Sequence, residues 1–265
     1  MTQVALTQPI VSTGPIPSYC EVDTAIQKAI GIALDGKNNV GLLLSGGVDS
    51  TVLLSYVVAA RKTIPVFTIA SDPSLPDLAF AQDIAKTHNL QHYVLLPGQD
   101  DIDRAQFAMN SRQPLFSGDI AVYLALEMAR NYGILCIVAA DGIDELTGGY
   151  WWHAHASDRF ASEESAFRHF WNVLEAEHIE PMNQSADSIG IEVVYPFLDR
   201  QVVETLTRIP LHRRVAGGVT KQWWKQFAQN YVGIPECIVT RPKLGFVSAL
   251  DKSFTMNVSI CGEAQ

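Results

Sequence analysis

Short apolar runs alternate with helical stretches over the first 140 residues, and this alternation limits the possible folds more than any other feature. Residues 40–44 and 134–140 are apolar runs that read as buried strands, residues 64–70 are β-branched and apolar and read as a second strand, and residues 91–96 read as a third. Between them, residues 51–60, 76–89, about 100–110 and 118–131 carry helical periodicity. Ahead of the first strand, residues 21–35 place Val22, Ile26, Ala29, Ile30 and Ala33 at helical spacing. Strands that alternate with helices build a parallel sheet covered on both faces. After Tyr150 the strand pattern stops, and residues 162–179, 199–208 and 219–230 read as helices. The expected organisation is an N-terminal arm over 1–18, an α/β core over 19–150 and a helical part of the same domain over 151–265.

The chain has 265 residues, of which 48% are hydrophobic and only 18% charged, enough for one large core. Its formal net charge of -9 repels phosphate backbones, and the basic residues Arg213, Arg214, Lys221, Lys225, Arg241 and Lys243 are scattered. They suit a solvated face or a small-anion site better than nucleic acid. Cysteines at 20, 136, 237 and 261 show no CxxC spacing, so neither a zinc site nor a redox dithiol is expected. Reduced thiols in a cytoplasm are the simplest reading. The opening MTQVALTQPI lacks the basic and apolar regions of a signal peptide. No stretch reaches the roughly 18 apolar residues of a membrane span.

The strongest local feature is Ser45-Gly46-Gly47-Val48-Asp49-Ser50, after an apolar strand and opening a helix. Backbone N–H groups at a helix N-terminus and the helix dipole favour anions there. The two glycines let the backbone approach phosphates, and Ser45 and Ser50 offer hydroxyl donors. Asp49 beside a phosphate requires an intervening cation, so Mg²⁺ is implied. The string is neither a Walker loop nor GxGxxG. The plain alternative is a Gly-Gly turn with no ligand.

SGGxDS resembles the pyrophosphate loop of the N-type ATP pyrophosphatases, which cleave ATP between the α and β phosphates and leave an adenylated substrate. Three later segments resemble the synthetase domain of asparagine synthetases. Asp141-Gly142-Ile143-Asp144-Glu145-Leu146-Thr147-Gly148-Gly149-Tyr150 is similar to SGEGSDExxGGY. Tyr195-Pro196-Phe197-Leu198-Asp199 is similar to the PFLD stretch, and Arg241-Pro242-Lys243-Leu244-Gly245-Phe246 to R-x-K-x-x-F. Residues 74–78 and Lys221, at the head of a helix, also match. The resemblance runs from about residue 20 to 250.

That resemblance implies an adenine nucleotide alpha hydrolase-like fold, a five-stranded-type parallel sheet with a C-terminal helical subregion. It implies ATP and Mg²⁺, with Asp49 and Asp144 as metal carboxylates. Lys243 is expected to stabilise charge on the α-phosphate, and Lys221 and Asp141 join it as catalytic candidates. Leu44, Ile69 and Ala140 are expected near the adenine, with Ser45, Gly46, Gly47, Ser50 and Gly142 completing the nucleotide site. The implied reaction adenylates a small-molecule carboxylate, releases pyrophosphate and forms an amide.

Several positions depart from the family. Residue 2 is Thr rather than a nucleophilic cysteine, and about 40 residues precede the loop, so no glutaminase is expected within this chain. Nitrogen is then expected from ammonia, an amine or a separate glutaminase subunit. Asp141 replaces the family's glutamate, one methylene longer, that handles a proton of the attacking nitrogen; β-lactam-forming relatives also lack glutamate there. Ala139, Ala140 and Ile143 replace Ser, Gly and Ser, making the acyl wall more apolar. Intramolecular amide closure, amidation of a specialised metabolite, sulfur transfer and a nucleotide-binding subunit are the alternatives. In 151–155, Trp-Trp-His-Ala-His, a lid with aromatic packing is simpler than a metal site. Trp171, Trp223 and Trp224 read as helix-core residues.

Overall fold

The computed structural model describes residues 9–61, 63–109 and 117–241. Its elements run α1 (Tyr19–Leu34), β1 (Val40–Leu43), α2 (Val48–Ala60), β2 (Val66–Ile69), α3 (Pro76–Thr87), β3 (His92–Leu95), α4 (Gln99–Ala108), α5 (Ser117–Asn131) and β4 (Cys136–Val138). They continue with α6 (Ile143–Thr147), α7 (Trp151–Ala154), α8 (Glu163–Leu174), α9 (Glu180–Ile189), β5 (Glu192–Val194) and α10 (Arg200–Leu206). Short helices follow: α11 (Leu211–Arg214), α12 (Gln222–Phe227) and α13 (Glu236–Thr240).

The strands form one parallel sheet in the order β3-β2-β1-β4-β5. β1 and β2 are buried at every position, as central strands between two helical layers must be. The chain moves outward from β1 to β2 to β3, then crosses to β4 on the other side of β1. Right-handed crossovers place the helices before and after that reversal on opposite faces. Accordingly α1 packs on α2 and α10, while α5 packs on α9. The reversal leaves a crevice beyond the ends of β1 and β4, where such sheets bind ligands.

The strand pattern does not stop at Tyr150. β5 pairs with β4, Ile137 opposite Val193 and Val138 opposite Val194, and supplies the fifth strand. It is three residues long and lies at an edge, with Glu192 exposed, so it has no apolar run to announce it. The helix expected over 162–179 is real but continuous with α9, through a π-helical segment at Glu175–Ile179.

The later helices are tied to the sheet through Arg214. Its side chain is 1% exposed and donates to three backbone carbonyls: Ile209 at 2.7 Å, Leu146 at 3.0 Å and Thr207 at 2.8 Å. The guanidinium also lies 5.5 Å from the Phe167 ring centre. This one residue joins α6 to the end of α10. Arg214→Met keeps most of the volume but strands buried acceptors, and we expect a loss of about 3 kcal/mol or more in urea denaturation.

Candidate active site

The turn between β1 and α2 is held by its own hydroxyls. Ser45 and Ser50 Oγ atoms are 3.1 Å apart, Gly47 N donates to Ser45 Oγ at 3.4 Å, and Thr51 Oγ1 donates to Gly47 O at 2.7 Å. Gly47 is the N-cap of α2 with no side-chain cap, which leaves the first turn of a 13-residue helix open to an anion. Gly46 has φ +71°, and a Cβ there would come within 2.5 Å of Asp77 O. Only glycine fits a turn that is both left-handed and pressed against α3.

Asp49, in the first turn of α2, is 7% exposed. Its Oδ2 lies 2.5 Å from Lys221 Nζ, and its Oδ1 accepts from Trp224 Nε1 at 3.0 Å. Asp144, in the first turn of α6 beyond the end of β4, has Oδ1 at 2.5 Å from the same Nζ. Lys221 is 3% exposed and has a left-handed backbone, φ 55°, at the N-cap of α12. Its N–H donates to Gly148 O at 3.1 Å, which docks the head of α12 on the segment carrying Asp144. Gly149 is required beside this cluster: a Cβ there would sit 1.7 Å from Asp144 Oδ1 and 2.4 Å from Lys221 Cε.

A cavity of about 210 Å³ opens beside the cluster, lined in part by Gly47, Asp49, Gly149, Lys221, Lys225 and Arg241. Lys225, one helical turn beyond Lys221, has its pKa lowered by burial and by Lys221, with Asp49 acting the other way. Arg241 donates from Nε to Gly46 O at 3.1 Å and pairs with Asp77.

Two acids on one ammonium leave the cluster one negative charge. Among the described residues there is no group of three or more His, Cys, Asp or Glu able to hold a metal by themselves. The donor set of Asp49 and Asp144 suits Mg²⁺, which is commonly held by one or two carboxylates plus substrate phosphates.

The expected site residues are thus brought together at Ser45–Ser50, Asp49, Asp144 and Lys221. Leu44 (1% exposed) directly follows β1, Ile69 (7%) ends β2, and Ala140 follows β4 half-buried; none of the three lines the cavity. Gly142, φ +89°, packs against Leu198, whose Cδ2 is 2.1 Å from where a Cβ would be. Asp141 is half-buried beside the acidic turn; burial is the main cause that raises the pKa values of Glu145, Tyr150 and Tyr195, and the Asp141 charge adds to each. Lys243 lies outside the described residues. In the Trp-Trp-His-Ala-His segment, His153 is fully buried between Phe167 and Phe170, and burial pulls its pKa to about 3.

Trp224 and Glu145 are not singled out for the site by the sequence, and Lys225 stands there only among the scattered basic residues suited to a solvated face or a small anion. Trp224 looks like a core residue and is one, 0% exposed, while its N–H orients Asp49. Glu145 is 2% exposed and accepts from Tyr150 Oη at 2.5 Å.

A family model described as asparagine synthase matches residues 21–175 and 161–259. The chain belongs to the asparagine synthase family. The human asparagine synthetase [glutamine-hydrolyzing] is 28% identical over 225 residues, covering 78% of this chain and 39% of the human one. The corresponding protein of Gallus gallus is 25% identical over 271 residues, 92% of this chain and 47% of that one. Putative asparagine synthetase [glutamine-hydrolyzing] 1 of Methanocaldococcus jannaschii is 26% identical over 203 residues, 74% and 37% respectively. This family member therefore spans less than half the length of these relatives. Among solved structures, NH3-dependent NAD synthetase from Campylobacter jejuni, in complex with the nitrate ion, is similar at a TM-score of 0.40 and 15% identity, over 72% of this chain and 96% of that one. No helix among the described residues is long and apolar enough to cross a membrane.

Desolvation first, then the neighbouring Asp144, push the Glu145 carboxyl from its ordinary 4.5 up to about 7. Between those values the folded chain holds a proton that the unfolded chain has released, so stability falls as pH rises through this window. The loss is on the order of 3 kcal/mol. Urea titrations across that range should show Glu145→Gln gaining relative to wild type as pH increases; parallel curves would contradict the assignment.

Proposed function

We propose that this chain is an ATP-dependent amide-forming ligase. It adenylates a small-molecule carboxylate with release of pyrophosphate, and nitrogen then displaces AMP to give the amide. The observation that carries this reading is the convergence of Asp49 and Asp144, from the ends of adjacent strands, beside an uncapped helix N-terminus. Membership of the asparagine synthase family supports it.

In this reading the Ser45–Ser50 turn binds the β and γ phosphates through backbone N–H groups and the Ser45 and Ser50 hydroxyls. Asp49 and Asp144 would hold Mg²⁺, which when bound neutralises the leaving pyrophosphate. Trp224 fixes the orientation of Asp49, and Lys221 keeps the two carboxylates together. Lys225 and Arg241 add positive charge to the same cavity. Lys243, two residues beyond Arg241 in sequence, is assigned by its family motif to the α-phosphate. There a fixed cation stabilises charge that develops in the transition state.

Asp141 is the candidate to handle the proton of the attacking nitrogen. Being shorter than glutamate, it places its carboxylate differently for a donor that must come within about 2.6–3.2 Å. The nitrogen source in this proposal is ammonia, an amine or a separate glutaminase. Sulfur transfer is disfavoured, because Cys136 is buried in β4 and burial pushes its thiol up to about 11.

The test is release of AMP and pyrophosphate from Mg-ATP with ammonium and a panel of carboxylates that includes aspartate. Asp49→Ala, Asp144→Ala and Lys243→Ala are expected to lose at least about 100-fold in turnover. Cys136→Ala is expected to keep it. Full turnover in the three charge variants, or loss in Cys136→Ala, would overturn the assignment.

A further inference from the structure

We infer that Arg241 is a positioning residue that fixes the shape of the phosphate turn, with the Arg241–Asp77 ion pair as a clamp between that turn and α3. The ligand served by the turn rests on the function proposed above; the clamp itself does not.

Three contacts converge on one guanidinium. Nε donates to Gly46 O at 3.1 Å, Nη1 pairs with the Asp77 carboxylate, and the group lies 5.0 Å from the Phe80 ring centre. The Arg241 and Asp77 side chains are only 8% and 16% exposed. A pair so far removed from water is coupled much more tightly than a surface ion pair. Asp77 and Phe80 both belong to α3, whereas Gly46 belongs to the turn after β1.

The contact has a specific mechanical sense. The left-handed turn at Gly46 already touches α3 through backbone, since a Cβ at Gly46 would be 2.5 Å from Asp77 O and 2.9 Å from Ala81 N. Such a conformation persists when its surroundings hold it. Arg241 supplies the hold by binding the Gly46 carbonyl with one edge and α3 with the other. Its Nη2 also lies 3.6 Å from where a Gly47 Cβ would be, directly against the turn. Only a planar fork makes both hydrogen bonds while stacking on a ring; a lysine offers a point charge that satisfies one partner at a time.

Arg241 also ends α13 and lines the cavity beside Asp49 and Lys221. The clamp therefore joins elements far apart in sequence, the turn near residue 46, α3 and the end of α13, at the wall of the anion cavity.

The experiment is amide hydrogen exchange on the free 265-residue chain for wild type, Arg241→Lys, Asp77→Asn and the double variant, with thermal denaturation alongside. Exchange at residues 46–50 is expected to quicken about tenfold in each single variant, the size of one lost charge-assisted hydrogen bond. The double variant should resemble either single one, because both remove the same coupling. Exchange in α1 should stay at the wild-type rate. Mg-ATP binding, measured by calorimetry, should weaken about tenfold in the same variants. Wild-type exchange at 46–50 in both single variants would overturn the clamp, as would a uniform rise across α1 and the turn with a lowered Tm. Altered exchange in a chain whose wild type binds no Mg-ATP would support the clamp and overturn the proposed function instead.

Discussion

The Lys221 ammonium, held between Asp49 and Asp144, is the contact on which the rest of the site depends. Both carboxylate oxygens are 2.5 Å from the same Nζ, so they stand at most about 5 Å apart. Without the lysine, two anions at that separation repel by roughly 3 kcal/mol at an effective dielectric of 20. Desolvating three ionised groups is costly, and a buried ion network is weak as a source of net stability. Its effect here is geometric. It brings the first turn of α2 and the first turn of α6 to one point and sets the head of α12 against both. Gly149 is the corresponding steric condition, since any side chain there would occupy the space of the Asp144–Lys221 contact.

The sheet topology brings these groups within reach. β1 and β4 are neighbours, yet they are joined through β2 and β3 on one side and a crossover on the other. Their C-terminal ends therefore open into a crevice with no connection across it. The turn after β1 supplies N–H groups and Asp49; the turn after β4 supplies Asp144 and, one residue on, the buried Glu145. Arg214 and the Lys221–Gly148 hydrogen bond then dock the later helices over that crevice. The arrangement concentrates negative charge, and a cavity wall with Lys225 and Arg241 balances it.

Much of this is legible in the chain. Central strands buried on both faces must be apolar throughout, so β1, β2 and β4 stand out, and a Gly-Gly pair between a strand and a helix marks the anion turn. β5 escapes because three residues at a sheet edge, one of them Glu192, carry no periodic signal. The partners of Asp49 escape for a different reason. Lys221 is 172 residues away and Trp224 is 175, and no local pattern encodes a contact at that distance. Lys221 was noticeable by resemblance, while its place between the two acids was not. Trp224 was hidden by its own chemistry, because an indole can be wholly buried in the core and still present its N–H to a carboxylate. Arg241 and Asp77 were visible as members of motifs, but their pairing across 164 residues required the fold.

The chemistry proposed for the site has an atom-level signature. If a carboxylate oxygen attacks the α-phosphate, that oxygen stays with phosphorus when nitrogen displaces AMP. The most direct measurement is turnover of Mg-ATP with a carboxylate substrate labelled with ¹⁸O in its carboxyl group, beginning with aspartate and ammonium. Mass spectrometry of the nucleotide product reads the outcome. Adenylation predicts AMP carrying one ¹⁸O from the carboxylate. Formation of ADP, or of AMP without the label, would contradict it.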